Sequence, residues 1–477
     1  MQGADMAIPT HTLFHRYLAT SFLVLSMAFP ALLSAQTLGD TPWTEYFGSS
    51  TGPHEGWGRT SRVGSDRTRQ IKAALKDGDN IFVGDSIGLS SARKEAEVAI
   101  FMDSVEADDG TAFRQKVLNR ALKLHQLQLK LGSPMQEIYW QFGNEITSLK
   151  YVLNLRAWAK QPVEPARTSD PWIIPYYVEY YLAPAIQSII QAEVLTGTEI
   201  PVLLGSIGNA NNPARREFLY ELLDYEVVGS YASDLAGLRV AEIVDFIDIH
   251  YLIAKSVHLK NEKGKYIKRL KGSYEIALDE IYDPWIAAGP VKGIWTSEEV
   301  GRSASDMGHG AAKAMLVTAR YLHWWSKHDI SSENARALYF GTSLGPVDVS
   351  ADLAMQTLFS FLGHSPLVEI IDAALPPAGD WETYVFESVD NNNKRVAFIL
   401  PSWSDIESNS FTEFQIDATL WPGDVTADVI VYGLGATTAT SAEVIREGEL
   451  LTVVLPDAIS PDTSKPPSIV VLLERSE

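Results

Sequence analysis

The stretch that decides the fold is residues 291–298, VKGIWTSE, a run of strand-forming residues with a polar end. It is followed at 310–328 by GAAKAMLVTARYLHWWSKH, in which apolar residues recur at helical spacing. The next apolar run, ARALYFG at 335–341, again has the composition of a buried strand. A strand, a helix and a second strand in this order are typical of a parallel sheet with helices on its outside.

The same alternation extends on both sides of this unit. Strand-like runs occur at 137–145, 200–206 and 244–252, and helical patterns at 112–131, 174–197, 215–225 and 350–363. In an eight-stranded barrel the five strand-like runs would be strands four to eight. We therefore predict an α/β fold in which residues 36–365 form a (β/α)8 TIM barrel. Its first three strands must lie within 36–130, where 80–90 has the strongest strand character.

The composition changes after about residue 366. Two β-rich runs flank a turn at 390–393 and predict a hairpin. Further short β runs, separated by Pro, Gly, Asp and Ser, occur at 411–420, 427–433, 449–455 and 468–473. Because no helical period remains, we predict that residues 366–477 form an all-β sandwich domain.

The first 35 residues have the pattern of a cleaved signal peptide. An apolar run at 18–35, LATSFLVLSMAFPALLSA, ends in small residues before Gln36. Pro30 and the short apolar length argue against a membrane-spanning helix, and no other stretch is long and apolar enough to form one. An exported protein without cysteine suits a bacterium better than a eukaryotic secretory route, so we predict a secreted or periplasmic protein.

The charge balance excludes several classes of partner. Sixty acidic residues against 39 basic ones give a formal charge of −21, which argues against binding nucleic acid or an anionic membrane. The absence of cysteine excludes disulfides and thiolate chemistry. The ten histidines form neither an HxH nor an HExxH pattern, so we expect no metal site and no cofactor.

Polar residues end three of the predicted barrel strands. Strand four ends in Asn144-Glu145, strand six in His250-Tyr251 and strand seven in Glu298-Glu299. In a barrel of this type the active site lies at the carboxyl ends of the strands. Two carboxylates across such a mouth are what glycosidic cleavage requires, one to donate a proton to the leaving oxygen and the other to act in its ionised form.

These motifs resemble the retaining glycoside hydrolases of clan A, over roughly residues 130–477. WQFGNE (140–145), DIHY (248–251) and IWTSE (294–298) carry the resemblance. It implies that Glu145 is the acid/base, that Asn144 contacts the sugar 2-hydroxyl, and that His250 or Tyr251 contacts the nucleophile. The trailing β domain is similar to that of families 39, 51 and 79, in which N-terminal residues can join the sandwich.

The position of the nucleophile depends on the register of strand seven. In the clan, an apolar strand and a small residue precede the glutamate, which favours Glu298 and places Trp295 outside the barrel with Thr296 inside. The alternative is Glu299, since the clan's glutamate often stands two residues before a glycine, and this register turns Trp295 inward. We favour Glu298, because a bulky tryptophan directly below the nucleophile is harder to accommodate.

The predicted function is an exported retaining β-glycoside hydrolase that cleaves a poly- or oligosaccharide by double displacement. Aromatic residues in loops after the strand ends, Trp172 and Tyr251, are candidate sugar-stacking residues. The alternative is a non-catalytic carbohydrate-binding protein that keeps the barrel without turnover.

Overall fold

A computed structural model describes most of the chain beyond residue 34. The described residues are 35–49, 58, 60–63, 68–77, 80–83, 111–132, 137–147, 173–253, 258–260, 263, 265–268, 272–299, 307–339, 346–371, 373–375, 381–401, 411–419, 421–433, 439–459 and 467–476. Residues 1–34 of the predicted signal peptide and Trp172 lie outside them, whereas Ala35, the last residue of that predicted segment, is described.

Strands fall into two regions of the chain. In chain order they are β1 (Ala35–Thr37), β2 (Phe47–Ser49), β3 (Thr60–Val63), β4 (Asn80–Val83), β5 (Ile138–Gln141), β6 (Val202–Leu203), β7 (Phe246–His250), β8 (His258–Lys260), β9 (Tyr266–Lys268), β10 (Gly293–Glu298), β11 (Ala335–Tyr339), β12 (Leu367–Ile370), β13 (Ala374–Leu375), β14 (Trp381–Ser388), β15 (Lys394–Pro401), β16 (Phe411–Asp417), β17 (Val425–Tyr432), β18 (Thr440–Glu447), β19 (Leu450–Ile459) and β20 (Ser468–Arg475).

Helices separate the strands of the first region. They are α1 (Thr68–Asp77), α2 (Thr111–Leu131), α3 (Ile173–Tyr177), α4 (Ala183–Thr196), α5 (Pro213–Leu223), α6 (Val240–Ile243), α7 (Ser273–Tyr282), α8 (Met307–His328) and α9 (Pro346–Leu362). A π-helical turn at Val178–Leu182 joins α3 to α4, and a second one follows α7. Within the described residues, none of these helices is both long enough and apolar enough to cross a membrane.

The first region is built on a curled parallel sheet. Its strands pair in the order β10-β11-β2-β3-β4-β5-β6-β7, and β7 also pairs with β10. Several of these pairings are short; β6 meets β7 only through Leu203 opposite Phe246. The predicted α/β class is confirmed, and the strands appear at the predicted places from β5 onward. Of the strands before it, β2 and β3 had no counterpart in the sequence patterns.

The inside of the parallel sheet is a small aromatic core. Tyr139, Leu203, Phe246, Trp295 and Leu338, from five different strands, pack together there. Their neighbours in sequence point the opposite way because successive side chains alternate across a strand. Ile138, Ile247 and Ile294 accordingly join the main core between the sheet and the helices.

The second region is an antiparallel sheet. Its ten strands follow the order β1-β12-β14-β15-β20-β17-β18-β19-β16-β13. One face of β15 and β20 contributes Ala397, Ile399 and Val471 to a core that Phe414 and Leu451 of β16 and β19 complete. The predicted all-β region after residue 366 is confirmed as antiparallel, and β18 is a strand that the sequence patterns did not indicate.

The two regions share one hydrophobic core. The other face of β15, with Val396 and Phe398, joins the main core that includes Leu316 of α8 and Leu358 of α9. The N-terminal strand β1 pairs with β12 and so belongs to the antiparallel sheet. The resemblance to clan A had indicated that N-terminal residues can join this sheet.

Candidate active site

Glu145 is presented by a strained turn at the end of β5. Its backbone φ is 47°, in the left-handed region that a non-glycine residue adopts at a cost of about 1–3 kcal/mol. Ser206 holds this turn: its Oγ accepts from the Glu145 backbone N–H at 2.7 Å, and its carbonyl accepts from Ile146 N–H at 3.0 Å. Strain at an over-determined position is typical of functional sites.

The carboxylate of Glu145 packs against Gly208. A Cβ atom at position 208 would lie 3.1 Å from both the carboxyl carbon and Oε1 of Glu145, closer than ordinary contact. Arg215 lies on the same side, and its Nη1 donates to the carbonyl of Thr147 at 2.6 Å. Burial lowers the pKa of Arg215, while the negative charge of Glu145 acts against that shift.

A β-bulge in β10 lies between Trp295 and Glu298, just before the two adjacent glutamates. Trp295 pairs with Asp248 and Glu298 pairs with His250, so three residues of β10 span two of β7. The extra residue allows both Trp295 and Glu298 to face the inside of the sheet. The prediction that Trp295 packs outside against the helices, with Thr296 inside, is therefore wrong, because it assumed unbroken alternation.

Glu299 lies on the opposite side from Glu298 and is fully buried. Its Oε1 accepts from the backbone N–H of Ile253 at 2.8 Å, and its Oε2 accepts from the Thr296 hydroxyl at 2.9 Å. The negative charge of Glu299 contributes to raising the pKa of Tyr321 on α8. Glu299 thus faces the helix layer, away from Glu145.

Glu145, His250 and Glu298 meet at the carboxyl edge of the parallel sheet. One carboxylate oxygen of each glutamate and a ring nitrogen of His250 all lie within 4.8 Å of one another. His250 Nδ1 is 3.5 Å from Glu145 Oε1 and 3.7 Å from Glu298 Oε2. Tyr251, also in the left-handed region at φ 55°, donates its hydroxyl to Glu298 Oε2 at 3.0 Å.

Buried hydrogen bonds through Ser297 and Asp248 fix the orientation of the His250 ring. Its Nε2 lies 2.9 Å from Ser297 Oγ. The Ser297 hydroxyl donates to Asp248 Oδ2 at 2.7 Å, so it accepts from His250 Nε2–H. Asp248 also accepts from the Ser297 backbone N–H at 2.8 Å and from the side-chain amide of Gln141. The imidazole is thereby oriented with Nδ1 toward the two glutamates.

The electrostatics keep His250 charged and Tyr251 protonated. Burial opposes a charge on His250, but the carboxylates of Glu298, Asp248 and Glu145 overcome it and raise its pKa to about 10. Burial, with the negative charges of Glu298 and Glu145, raises the pKa of Tyr251 above its ordinary value. At neutral pH the site therefore contains an imidazolium and a phenol donor beside Glu298.

The same three groups are also the candidate metal ligands among the described residues. A histidine ligand must be neutral. The carboxylates of Glu298, Asp248 and Glu145 raise the pKa of His250, so a metal ion at this position would have to displace a proton from the imidazole. The donor set suits proton transfer and charge pairing better than coordination.

Asn144 and Ser206 complete the edge of the site. Asn144 is half-buried, and its Oδ1 accepts from Ser206 Oγ at 3.4 Å. Sequence reasoning missed Ser206, Asp248 and Ser297. Asp248 could have been found from its spacing, since residues two apart on a strand face the same side and His250 was already a candidate. Ser206 has no such signal.

One further motif follows β4. Residues 84–88 read GDSIG, which matches the G-x-S-x-G pattern of serine hydrolases. These residues lie outside the described part of the chain.

Comparison with known proteins gives distant structural likenesses only. No family model and no curated protein matches the chain. Among solved structures, the chain is similar to a glycoside hydrolase family 44 endoglucanase from Clostridium acetobutylium (11% identity, 92% of this chain and 97% of that chain covered, TM-score 0.45). It is also similar to a GH51 arabinofuranosidase from Xanthomonas axonopodis pv. citri (10%, 93% and 97%, 0.43) and a GH30 xylanase from Talaromyces cellulolyticus (10%, 92% and 99%, 0.41).

Several of the similar structures are thus glycoside hydrolases, the class that the motifs resemble. At identities of 10–11% and TM-scores of 0.41–0.45, the likeness is one of overall fold.

Proposed function

We propose that the protein is a retaining β-glycoside hydrolase that uses Glu145 and Glu298 in a double displacement. The observation that carries the proposal is the approach of one oxygen of each carboxylate to within 4.8 Å of the other. Retaining enzymes have carboxyl groups about 5–5.5 Å apart, whereas inverting enzymes need about 6.5–9.5 Å to admit a water molecule. The short separation supports direct attack by one carboxylate.

Glu298 is the nucleophile in this proposal. The Tyr251 hydroxyl donates to Glu298, which favours its ionised form. His250 Nδ1 lies 3.7 Å from Glu298 and 3.5 Å from Glu145, so its charge acts on both carboxylates, and the tyrosine contact supports the assignment of Glu298. In the first step a Glu298 oxygen forms a bond to the anomeric carbon as the bond from that carbon to the leaving oxygen breaks. The leaving oxygen takes its proton from Glu145.

Glu145 then acts as the base of the second step. A water molecule gives a proton to Glu145 and attacks the anomeric carbon, and the bond between that carbon and Glu298 breaks. Glu145 returns to its protonated form and Glu298 to its ionised form, so no cofactor is consumed. The Glu145 side chain is 29% exposed against 10% for Glu298, which supports access of the leaving group and water to Glu145.

The wider proposal covers fold, substrate and location. The parallel sheet with its helices is the catalytic (β/α)8 barrel, over residues 36–365, and the antiparallel sheet is a β-sandwich over 366–477. Asn144, Tyr251 and Trp172 contact the carbohydrate. His250 interacts electrostatically with the carboxylates of both glutamates. The protein is exported after cleavage of a signal peptide at residues 1–35.

The test is hydrolysis of a panel of aryl glycosides and polysaccharides. We expect Glu298→Gln to abolish turnover, and Glu145→Gln to reduce it by about 10²–10⁴-fold, the usual share of general acid–base catalysis. Proton NMR of the first product formed should show retention at the anomeric carbon. Glu299→Gln should keep measurable turnover, because Glu299 faces the helices.

Four outcomes would contradict the proposal. Binding of a polysaccharide without hydrolysis indicates the carbohydrate-binding alternative. Loss of turnover in Glu299→Gln but not in Glu298→Gln reverses the assignment of the nucleophile. Inversion at the anomeric carbon excludes a glycosyl-enzyme intermediate. Hydrolysis of a p-nitrophenyl ester but of no glycoside, abolished by Ser86→Ala and unaffected by Glu298→Gln, indicates instead the serine-dependent acyl transfer that the GDSIG motif is typical of.

A further inference from the structure

A buried ion pair joins the antiparallel sheet to the helix layer behind the candidate site. Arg320 of α8 donates from Nε to Glu382 Oε2 at 2.8 Å and from Nη2 to Oε1 at 2.9 Å, with Glu382 on β14. Both side chains are 2% exposed. Tyr384 donates to Glu382 at 3.3 Å, and Tyr274 in turn binds the Tyr384 hydroxyl at 2.8 Å.

The same guanidinium reaches the loop after β7, of which residues 251–253 are described. Arg320 Nη1 donates to the backbone carbonyl of Ile253 at 3.3 Å. The backbone N–H of Ile253 donates to Glu299 at 2.8 Å. The carbonyl and the N–H of the buried Ile253 are therefore held by the charged side chains of Arg320 and Glu299. Arg320 is in turn paired with Glu382 of the antiparallel sheet.

Ile253 lies two residues after Tyr251, the residue that donates to Glu298. Tyr251 has a left-handed backbone conformation, which a tyrosine keeps only when its surroundings enforce it. The preceding residue, His250, is fixed by the strand and by Ser297. After Tyr251, the backbone of Ile253 is held by Glu299 and Arg320, so these two residues restrict the path of the chain that carries the phenol.

We infer that Glu382, acting through Arg320 and together with Glu299, is a positioning residue for Tyr251 and hence for the proposed nucleophile Glu298. The antiparallel sheet thereby takes part in catalysis without touching substrate. Without Glu382 the guanidinium lacks its carboxylate partner and relaxes away from Ile253, which lets the loop and the phenol move. This inference rests on the proposed function and names the residues that keep the site assembled.

The experiment compares Glu382→Gln and Arg320→Lys with a matched control on the same strand. Glu387 on β14 pairs with Arg395 at 2.7 Å, an ion pair within the antiparallel sheet that has no contact with the loop after β7 among the interactions described. We expect kcat on an aryl glycoside to fall about 10- to 100-fold in Glu382→Gln and Arg320→Lys, the range that a displacement of about 1 Å causes. Glu387→Gln should keep the kcat of the parent.

A double-mutant cycle separates positioning from a structural role. In a Tyr251→Phe background the phenol is already absent, so Glu382→Gln should lower kcat little further. An effect on the folded site that does not act through the phenol would cause the same loss in both backgrounds. Near-UV circular dichroism and thermal unfolding give the folded fraction of each variant, and kcat is expressed per folded molecule. If Glu382→Gln folds poorly, Arg320→Lys, which keeps the buried positive charge, tests the inference in its place.

Two results overturn the inference while the proposed function stands. One is a parental kcat in folded Glu382→Gln and Arg320→Lys; the other is an equal loss in the parent and Tyr251→Phe backgrounds, in both cases with Glu298→Gln inactive. If Glu298→Gln instead retains the activity of the parent, the proposed function itself is wrong.

Discussion

At the scale of single residues, the position of Glu145 depends on the absence of a side chain at Gly208. A methyl group at position 208 would push on the Glu145 carboxylate, whose Oε1 lies 3.5 Å from His250 Nδ1, and so would alter the contacts of the site. The glycine therefore determines how closely the carboxylate can lie against the segment after β6 and, with it, the separation from Glu298.

We expect Gly208→Ala to lower kcat about tenfold or more, because its Cβ would lie 3.1 Å from the Glu145 carboxyl group and displace it by a few tenths of an ångström. The thermal midpoint should change little. Steady-state kinetics and thermal unfolding check this together. Unchanged kcat in Gly208→Ala would show that Glu145 adjusts without loss of function.

A second prediction at this scale concerns the effect of His250 on the pH dependence of the free energy of unfolding. Its pKa is about 10 in the folded protein and near 6.5 as a free side chain, because Glu298, Asp248 and Glu145 face it. Tyr251, in edge contact at 5.6 Å, remains neutral over the range considered. A raised folded pKa stabilises the protein fully below pH 6.5, and this contribution is lost as pH rises toward 10.

The free energy of unfolding of the parent should therefore fall relative to that of His250→Gln between pH 6.5 and 10, by at most roughly 1.4 kcal/mol per pH unit. Urea unfolding of the two proteins at several pH values measures the difference, from which titrating groups remote from His250 cancel. A difference that stays constant across this range would mean that His250 is neutral in the folded protein.

At the scale of secondary structure elements, the bulge in β10 determines which of its polar side chains face the inside of the sheet and which face the helices. Ser297 and Glu298 face the inside of the sheet, whereas Thr296 and Glu299 face the helices. An unbulged strand would place neighbouring residues on alternate faces throughout and could not direct both Ser297 and Glu298 to His250.

We expect Thr296→Val to destabilise the protein by about 1–3 kcal/mol, because it leaves one oxygen of the buried Glu299 carboxylate without its hydroxyl donor. Valine has nearly the shape of threonine, so packing in the helix layer is preserved. Chemical unfolding provides the measurement, with Thr296→Ser as the control that restores the hydroxyl. Equal stability of the parent and Thr296→Val would show that the hydrogen bond contributes nothing.

At the scale of the whole molecule, the two sheets are parts of one packed unit. The main hydrophobic core contains residues of the parallel sheet, of its helices and of one face of β15 and β20. Ser468 of β20 donates to the carbonyl of Ala312 on α8 at 2.7 Å, and Lys394 of β15 donates to the carbonyl of Phe361 on α9 at 3.1 Å. Separation of the sheets would expose this apolar face to water.

We therefore expect a single cooperative unfolding transition, with coincident midpoints when unfolding is followed by far-UV circular dichroism and by tryptophan fluorescence. Calorimetry should give one heat-absorption peak. The buried Arg320–Glu382 pair should strengthen this coupling, so Glu382→Gln lowers the midpoint of the whole protein. Two resolved peaks would show instead that the sheets unfold independently.

The sequence by itself determined the order of the main barrel strands and their helices from residue 137 onward and the change from alternating strands and helices to β structure near 366. Periodicity carries this information because a helix and a strand bury different spacings of apolar residues. The sequence also indicated Glu145, His250, Tyr251 and Glu298, since residues at the carboxyl ends of parallel strands share one edge, and the structure brings these four side chains together.

Only the tertiary structure decided what surrounds them. The bulge in β10, the inward side chain of Trp295, and the contacts of Ser297 with Asp248 depend on how β10 pairs with β7, and local sequence does not specify that register. The link from Glu382 to Tyr251 joins residues 131 positions apart in the sequence, across two sheets. Such contacts follow from the packing of complete elements, because the energy that fixes them comes from burial and paired charge rather than from any local pattern.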